Sequence, residues 1–581
     1  MSRYLPLFRQ PLLAGFSLGL AVALAACNAA NPEAVSQAPE RPMAAENKAE
    51  LAGNVKRTHE VRQQNAPAVL SKQLAEGLPA SSPAYAPMHD ALLPGYQTAY
   101  REQYQKLASN PVQAVLEQPV STFSIDVDTG GYANVRRFLN SGSLPPKDAV
   151  RLEELVNYFP YAYPLPKGDT PFGVSTELAR SPWNANALLL RVAIRADDLK
   201  VEALPPANLV FLVDVSGSMD RQDGLPMVQG SLKLLVDQLR PQDRVALVTY
   251  AGNANVVLVS TAGSEKAKIR AAIDQLSAGG STAGESGIQL AYQQAQLGFI
   301  EQGINRILLA TDGDFNVGIS DFDSLKQLAV DKRKTGVSLT TLGFGTDNYN
   351  EQLMEQLADA GDGNYAYIDN LREARKVLVE QLSSTLSVVA KDVKIQLEFN
   401  PAEVSEYRLL GYENRALQRE DFSNDKVDAG EIGAGHRVTA LYEIVPAGGK
   451  GWLEPLRYAA SSKASAHNAD GKPAELAMLR LRYKLPQQSR SQLLEVPIQT
   501  PEQLVAISQA SEDLRFAAAV AAFAQQLQGG KYTGSFSLND SAALARAARG
   551  EDRFGLRAEF VQLVELAQSL QTPLNTQARA D

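Results

Sequence analysis

The sequence predicts a doubly wound, mostly parallel α/β sheet inserted in a β-sandwich and followed by a helical C-terminal segment. Three observations carry that prediction. Between Leu209 and about Leu386, short apolar strands alternate with amphipathic helices, the rhythm of a parallel sheet covered on both faces. From Val388 the rhythm changes to strands separated by turn-rich segments such as NDKVDAGEIGAG. Beyond about Ser508 apolar residues recur at helical spacing.

The N-terminus carries a different signal. Arg3 and Arg9 precede an apolar stretch from Leu12 to Ala26. At about fifteen residues it is short for a membrane-spanning helix, which needs roughly 20. It fits a secretory signal with a basic start, an apolar middle and small residues at the cut. Leu24-Ala25-Ala26-Cys27 resembles the lipobox of bacterial lipoproteins, in which the cysteine is acylated and becomes the new N-terminus. Cys27 is the single cysteine, so no intrachain disulfide is available. Residues 1–26 are therefore expected to be a lipoprotein signal peptide. Residues 27–111, rich in Ala, Pro, Gln, Asn and Glu, are expected to be a disordered tether, because they bury too little apolar surface to offset ordering. Short helices are expected within it near Val61–Leu78 and Tyr96–Leu107.

Residues 112–207 form an N-terminal flank. STFSIDVDTGGYANVRRFLNSG reads as strand, turn and helix, and DAVRLEELVNYFPY as a second helix. FGVSTELARSP and ALLLRVAIRA read as strands without partners of their own, so they are expected to join the later sandwich. That makes the α/β domain, residues 208–388, an insertion. Its strands are NLVFLVD, RVALVTY, NVVLVS, NRILLATDG, VSLTTLGFG and NYAYID. Its helices are Pro226–Leu239, Glu265–Leu276, Gly284–Phe299, Phe322–Lys334, Glu351–Ala360 and one starting near Leu371. The sandwich proper, residues 389–500, holds KDVKIQLEFN, YRLLGYE, HRVTALYEIV and AMLRLRYKL. In the C-terminal segment, residues 501–570, DLRFAAAVAAFAQQLQ and GLRAEFVQLVELAQSL are read as packing helices, since Ala-rich faces suit close helix contact.

The chemistry concentrates at the ends of two buried strands. Asp214-Val215-Ser216-Gly217-Ser218 follows LVFLVD directly, a glycine-rich loop with Ser281 and Thr282 leads into a helix, and Thr311-Asp312-Gly313 ends another strand. In a doubly wound sheet these segments converge at the carboxyl edge, where ligands bind. Hydroxyl and carboxylate oxygens are hard ligands that suit Mg²⁺, Mn²⁺ or Ca²⁺ rather than zinc. A cation held mainly by neutral hydroxyls stays electrophilic and favours an anionic oxygen from outside.

Here the residues resemble a family. The stretch from Asn208 to Leu386 is similar to the von Willebrand factor type A (VWA) domain, and Asp214, Ser216, Ser218, Thr282 and Asp312 match its adhesion-site motif D-x-S-x-S…T…D. The resemblance implies that Ser216, Ser218 and Thr282 are direct or alternating metal ligands, and that Asp214 and Asp312 bind through water or enter directly. The flanks STFSIDVDTGGYANVRRFLNSGSLPPKDAVRLEELVNYFPY and NDKVDAGEIGAGHRVTALYEI look like those of bacterial VWA lipoproteins of the YfbK type.

Other signals are weaker. Asp126-Val127-Asp128-Thr129-Gly130-Gly131 starts like an EF-hand calcium loop, but its fifth position is Gly130 and its twelfth Arg137. It reads as a turn. His59, His89, His436 and His467 all lie outside the α/β domain, so no His-based zinc site or Ser-His-Asp triad assembles there. The formal net charge of -9 and the lack of a basic run argue against nucleic-acid binding.

The expectation is a non-enzymatic, membrane-anchored module that captures an exposed Asp or Glu of a partner protein through a bound divalent cation. An envelope scaffold with an accessory structural metal site is the alternative, and a metal-dependent hydrolase lacks an evident general base. The lipid implies a cell-envelope address, and Asn28 after the cysteine favours the outer membrane over the inner.

Overall fold

The segment before the α/β domain spreads its elements over the rest of the protein instead of folding on itself. The computed structural model describes residues 102–571 except 169, 200–202, 282–283, 314–321, 347–348, 455 and 457–474. Cys27 and the expected helix at Val61–Leu78 lie outside the described residues. The helix expected near Tyr96–Leu107 is not formed over its described part. Those residues run extended along the body: Gln103 N–H donates to the Tyr349 carbonyl at 2.9 Å, and Arg137 pairs with Glu102 at 2.9 Å. Asn110 donates to the Gly411 carbonyl at 2.7 Å. The tether expected to reach residue 111 is thus docked from 102 onward, because its few polar and aromatic side chains find partners.

Strand β1 (Gln113–Ala114) and β2 (Val120–Ser124) lead into helix α1 (Gly130–Asn140), then α2 (Leu152–Asn157), β3 (Phe172–Arg180) and β4 (Leu188–Ala196). Strands β3 and β4 pair antiparallel with each other, and β4 pairs antiparallel with Arg437–Ile444, beyond the α/β domain.

The α/β domain follows: β5 (Ala207–Asp214), α3 (Leu225–Gln238), β6 (Arg244–Tyr250), β7 (Ala254–Ala262), α4 (Lys266–Asp274), α5 (Gly284–Leu297) and β8 (Ile304–Thr311). Then come α6 (Phe322–Arg333), β9 (Ser338–Gly343), α7 (Glu351–Ala360), β10 (Tyr365–Tyr367), α8 (Leu371–Arg375) and α9 (Leu382–Leu386). The sheet order is β10-β9-β8-β5-β6-β7, parallel except for β7. All eight residues of β5 are buried, because helices cover both faces. Phe211 and Val213 pack with α3, and Val210 and Leu212 pack with α5, so the unbroken apolar run serves two cores. The edge strand β7 instead alternates, leaving Val257 and Val259 exposed.

The chain then returns to the sandwich through β11 (Val388–Phe399), β12 (Val404–Leu410), β13 (Ile432–Gly433), β14 (Arg437–Pro446), β15 (Glu475–Lys484) and β16 (Gln492–Gln499). One sheet is ordered β1-β12-β14-β4-β3; the other is β13-β11-β15-β16, with β2 also paired to β11. The two orphan strands do join the sandwich, and the α/β domain is inserted between β4 and β11. Strand β16 was not foreseen; its outer face is largely exposed, so its apolar content is diluted.

Helices α10 (Glu512–Leu527), α11 (Leu538–Ala547) and α12 (Leu556–Gln571) close the chain. Helix α10 covers the outer face of the first sheet, and α11 and α12 pack behind it. Leu190, Val192 and Ile194 of β4 point into the sandwich, whereas Leu189 and Ala193 point at α10. The period of two explains why LLLRVAIRA is apolar throughout. Helix α10 is apolar on almost every side because it is wedged between that sheet, α2 and α11. Trp183 packs in this helical core, not in the sandwich core.

Buried arginines bind these parts together. Arg136 of α1, 1% exposed, contacts Asp369 at 2.5 Å and Glu373 at 2.7 Å in the α/β domain and Glu559 of α12 at 3.1 Å. Arg415, beyond β12, reaches Asp126 at 3.1 Å and Asp128 at 3.2 Å in the flank, and Glu355 of α7 at 3.1 Å. Arg151 pairs with Glu351 at 3.4 Å. Burial pushes Glu351 up to about 8, against the pull of Arg151 and with a further push from Glu355. The folded state therefore holds a proton on Glu351 that the unfolded chain, near the ordinary 4.5, releases. This group's contribution is fully present below about pH 4.5 and is lost as pH rises through about 8. Urea unfolding in EDTA is expected to show stability falling less steeply with rising pH in Glu351→Gln than in the parent, by up to about 1.4 kcal/mol per pH unit between about pH 5 and 7.5. Parallel pH profiles for the two proteins would remove the assignment.

Candidate metal centre

Strand β5 ends at Asp214, where the sheet order reverses between neighbours β6 and β8. Helix α3, which follows β5, and α5, which precedes β8, pack on opposite faces of the sheet, the arrangement in which ligands bind at the carboxyl edge. Asp214 is fully buried and held from both sides. Its Oδ1 accepts the Ser216 N–H at 2.9 Å, and its Oδ2 accepts the Thr311 hydroxyl at 2.9 Å. The turn that follows places the Ser216 and Ser218 hydroxyls 3.0 Å apart. Ser216 is 2% exposed, whereas Ser218 is half-buried and marks the open side.

Strand β8 brings in the second carboxylate. Val213 lies opposite Ala310 in the parallel ladder, so Asp214 and Asp312 leave adjacent strands at nearly the same height. Asp312 is 2% exposed. Burial pushes the Asp214 carboxyl up to about 6, the Asp312 charge pushes in the same direction, and the Ser216 and Thr311 hydrogen bonds oppose. Two buried carboxylates that repel each other beside two converging hydroxyls form a hard oxygen set. A hard divalent cation is the chemical complement. The donors fit one: Ser216 and Ser218 supply hydroxyl oxygens, and Asp214 and Asp312 supply charge.

The glycine-rich loop is stitched against the serine turn. Gly279 N–H donates to the Val215 carbonyl at 2.8 Å, and Gly217 N–H donates to the Gly280 carbonyl at 3.1 Å. Gly280 has φ +96, which side-chain-bearing residues rarely adopt. Ser281 follows, its Oγ 3.5 Å from where a Cβ on Gly252, between β6 and β7, would sit. Thr282, the fifth expected site residue, lies outside the described residues.

Thr311, part of the Thr311-Asp312-Gly313 segment singled out in the sequence, orients Asp214 and also accepts the Gly313 N–H at 3.1 Å. Tyr250, which no motif marks, is buried with its hydroxyl beside the same carboxylate. On the rim, Arg221 donates to Asp223 at 2.9 Å and to the Thr346 carbonyl at 2.9 Å, and Gly345 N–H donates to the Asp223 carbonyl at 3.1 Å.

Residues 208–381 match the family profile described as von Willebrand factor type A domain, and residues 98–191 match one described as von Willebrand factor. Residues 384–570 match one described as Uncharacterized protein YfbK, C-terminal. Over 503 residues the chain is 50% identical to Uncharacterized protein YfbK of Escherichia coli (strain K12), covering 85% of this chain and 86% of that one. A Synechocystis protein is 31% identical over 223 residues, 38% of this chain and 51% of that one. Among solved structures, von Willebrand factor type A from Catenulispora acidiphila aligns at 16% identity with a TM-score of 0.38, covering 69% of this chain and 91% of that one.

Gly313 directly follows Asp312 and packs closely against Asn350. Its φ is +85, and a Cβ there would lie 2.7 Å from the Asn350 nitrogen. Gly313→Ala is expected to cost about 1–3 kcal/mol in urea unfolding, from strain plus the clash. A change under about 0.5 kcal/mol would show that the backbone at Gly313 yields freely and does not hold Asp312 in place.

Proposed function

The chain belongs to the YfbK family of VWA-domain proteins, and on that premise we propose that it is an envelope-anchored binding module whose VWA edge captures an acidic side chain of a partner protein through a divalent cation. VWA domains serve as protein-interaction modules, and the matched families and relatives name no catalytic activity. One observation carries the finer reading: the Ser216–Ser218 hydroxyl pair stands beside the buried Asp214 and Asp312 at the sheet's switch point. Ser216, Ser218 and Thr282 would ligate the ion, with Asp214 and Asp312 balancing its charge. Mg²⁺ suits such a small oxygen set, with Mn²⁺ or Ca²⁺ as substitutes. Hydroxyl ligands leave the cation's charge largely unspent, so a foreign carboxylate completes the shell favourably. Ser218 gives that carboxylate its approach.

Anchoring rests on the sequence. Cys27 would carry the acyl chains, and the residues after it would give reach until the chain docks at Glu102. Several acyl chains hold far more firmly than one, at about 0.8 kcal/mol per buried CH₂. The proposed address is the cell envelope, at the outer membrane. In the scaffold alternative the C-terminal helices carry the partner contacts. Their inner faces already cover the sandwich and α2, which leaves that reading only their outer surfaces.

Capture of a partner from solubilised membranes is expected in Mg²⁺ and lost in EDTA, and Asp214→Ala and Ser218→Ala are expected to lose it in both. Mg²⁺ at 100 times its Kd should also stabilise the parent protein by about 2.7 kcal/mol and leave Asp214→Ala unmoved. Capture that ignores both chelation and Asp214→Ala would remove the metal mechanism. In cell fractionation, Cys27→Ser is expected to move the protein out of the membrane pellet. Retention of the variant in the pellet would overturn the lipid anchor.

A further inference from the structure

The flank, the end of the VWA domain, the sandwich and the C-terminal segment enclose a cavity of about 230 Å³ where they meet. At roughly 30 Å³ per water, that is the space of about eight waters. One wall is apolar: Phe159 and Pro160 follow α2, and Phe554 and Leu556 lie at the start of α12. Phe554 is 42% exposed and marks the open side. The other wall is polar. His436 and Arg437 stand where the chain enters β14, and Lys376 and Glu380 stand at the end of the VWA domain. There the Gln381 N–H donates to the Lys376 carbonyl, five residues back, at 2.9 Å, which makes Lys376–Glu380 a π-helical turn. Such turns are rare and gather at functional sites.

Arg437 is the group without a partner. Val438 and Ala440 pack in the sandwich core and Leu441 in the helical core, so Arg437 projects on the helical side, where Phe159 and Leu556 also pack. It lies directly opposite Arg195 in the β4–β14 ladder, and like charges so placed repel. Arg195 has Asp198 at 4.0 Å and donates to the Tyr163 carbonyl at 2.8 Å. Asp513, the other acid that bears on Arg437, is taken by Arg557 at 2.8 Å. Among the described residues Arg437 makes no hydrogen bond and no ion pair, and its Nε is buried. A buried donor left unpaired is costly.

The neighbouring groups leave room for one negative charge. Glu380 and Asp198, the two carboxylates that line the cavity, have Arg375 at 3.7 Å and Arg195 at 4.0 Å. Lys376 is committed, its Nζ 3.3 Å from the centre of the Tyr158 ring and 3.5 Å from Glu373. Burial holds the His436 imidazole down to about 4, so the ring is neutral at pH 7. Its Nδ1 accepts the Gly433 N–H at 3.4 Å, which leaves the ring proton on Nε2 as a donor.

We propose that this cavity binds a small organic monocarboxylate with an apolar body, its carboxylate on Arg437 and its body against Phe159 and Phe554. The planar guanidinium fork matches a carboxylate, and His436 Nε2 offers a further donor. A phosphate dianion would bring more charge than Arg437 leaves open, and Asp198 and Glu380 would repel the surplus. The exposed ring of Phe554 gains by leaving water.

The test is equilibrium dialysis of the full chain in metal-free detergent buffer, with detergent alone as the blank, against phenylacetate. Phenylacetamide and inorganic phosphate are the comparison probes. Phenylacetate is expected to bind at one equivalent with a Kd of about 1 mM or tighter. Phenylacetamide keeps the ring without the charge and phosphate keeps charge without the ring, so each is expected to bind at least about tenfold more weakly. Arg437→Gln is expected to weaken phenylacetate about tenfold without lowering the unfolding midpoint, since the charge it removes is repelled by Arg195. Phe554→Ala is expected to weaken it about threefold. No binding of phenylacetate to the parent, phosphate bound as tightly as phenylacetate, or unchanged affinity in either variant would overturn the site.

Discussion

The double parallel pairing of β5 is the constraint on which the rest depends. Residues 208–213 of that strand are paired in register with β6 on one side and β8 on the other, and Asp214 is the last residue paired with β6. The register leaves no freedom in where Asp214 and Asp312 emerge. Their mutual repulsion in a buried setting is therefore imposed by the sheet and cannot relax by sliding one strand. Apolar side chains on both faces of β5 hold the ladder, and the polar edge accepts the electrostatic cost. A carboxylate- and hydroxyl-bearing edge on a rigid base is what a cation-dependent contact requires.

The inserted domain needs a second kind of restraint. Its chain enters from β4 and leaves into β11, two strands of different sheets, and such an insertion could swing on its connections. The arginines resist that. Arg136 ties α1 to the last helices of the VWA domain and to α12, and Arg415 ties a sandwich loop to the flank and to α7. Buried ion pairs add little net stability against an apolar isostere, but breaking one is expensive. Their effect is to make one arrangement of the parts far better than its neighbours.

Much of this was legible in the linear chain. Strands buried on both faces announce themselves as unbroken apolar runs, which is why β5, β8 and β4 were read correctly. The switch from helix–strand alternation to strand-only rhythm located the insertion. The D-x-S-x-S turn and the later Asp312 could be placed on one edge because parallel topology leaves few choices. What escaped was weakly patterned: β16, with polar residues on its outer face; α11, with a short apolar stripe; and the extended segment from Glu102, whose order comes from contacts with Arg137 and Tyr349, not from local propensity.

The sequence by itself determined the class of each segment and the residue types at the VWA edge, because periodicity and strand-end chemistry are local properties. Tertiary structure alone decided which distant charges meet. Arg415, Glu355 and Asp128 are far apart along the chain, and nothing in their immediate neighbours marks them as partners. Side-chain electrostatics acts through space over a few ångströms, and only packing of the flank, the inserted domain and the sandwich brings those groups within that range.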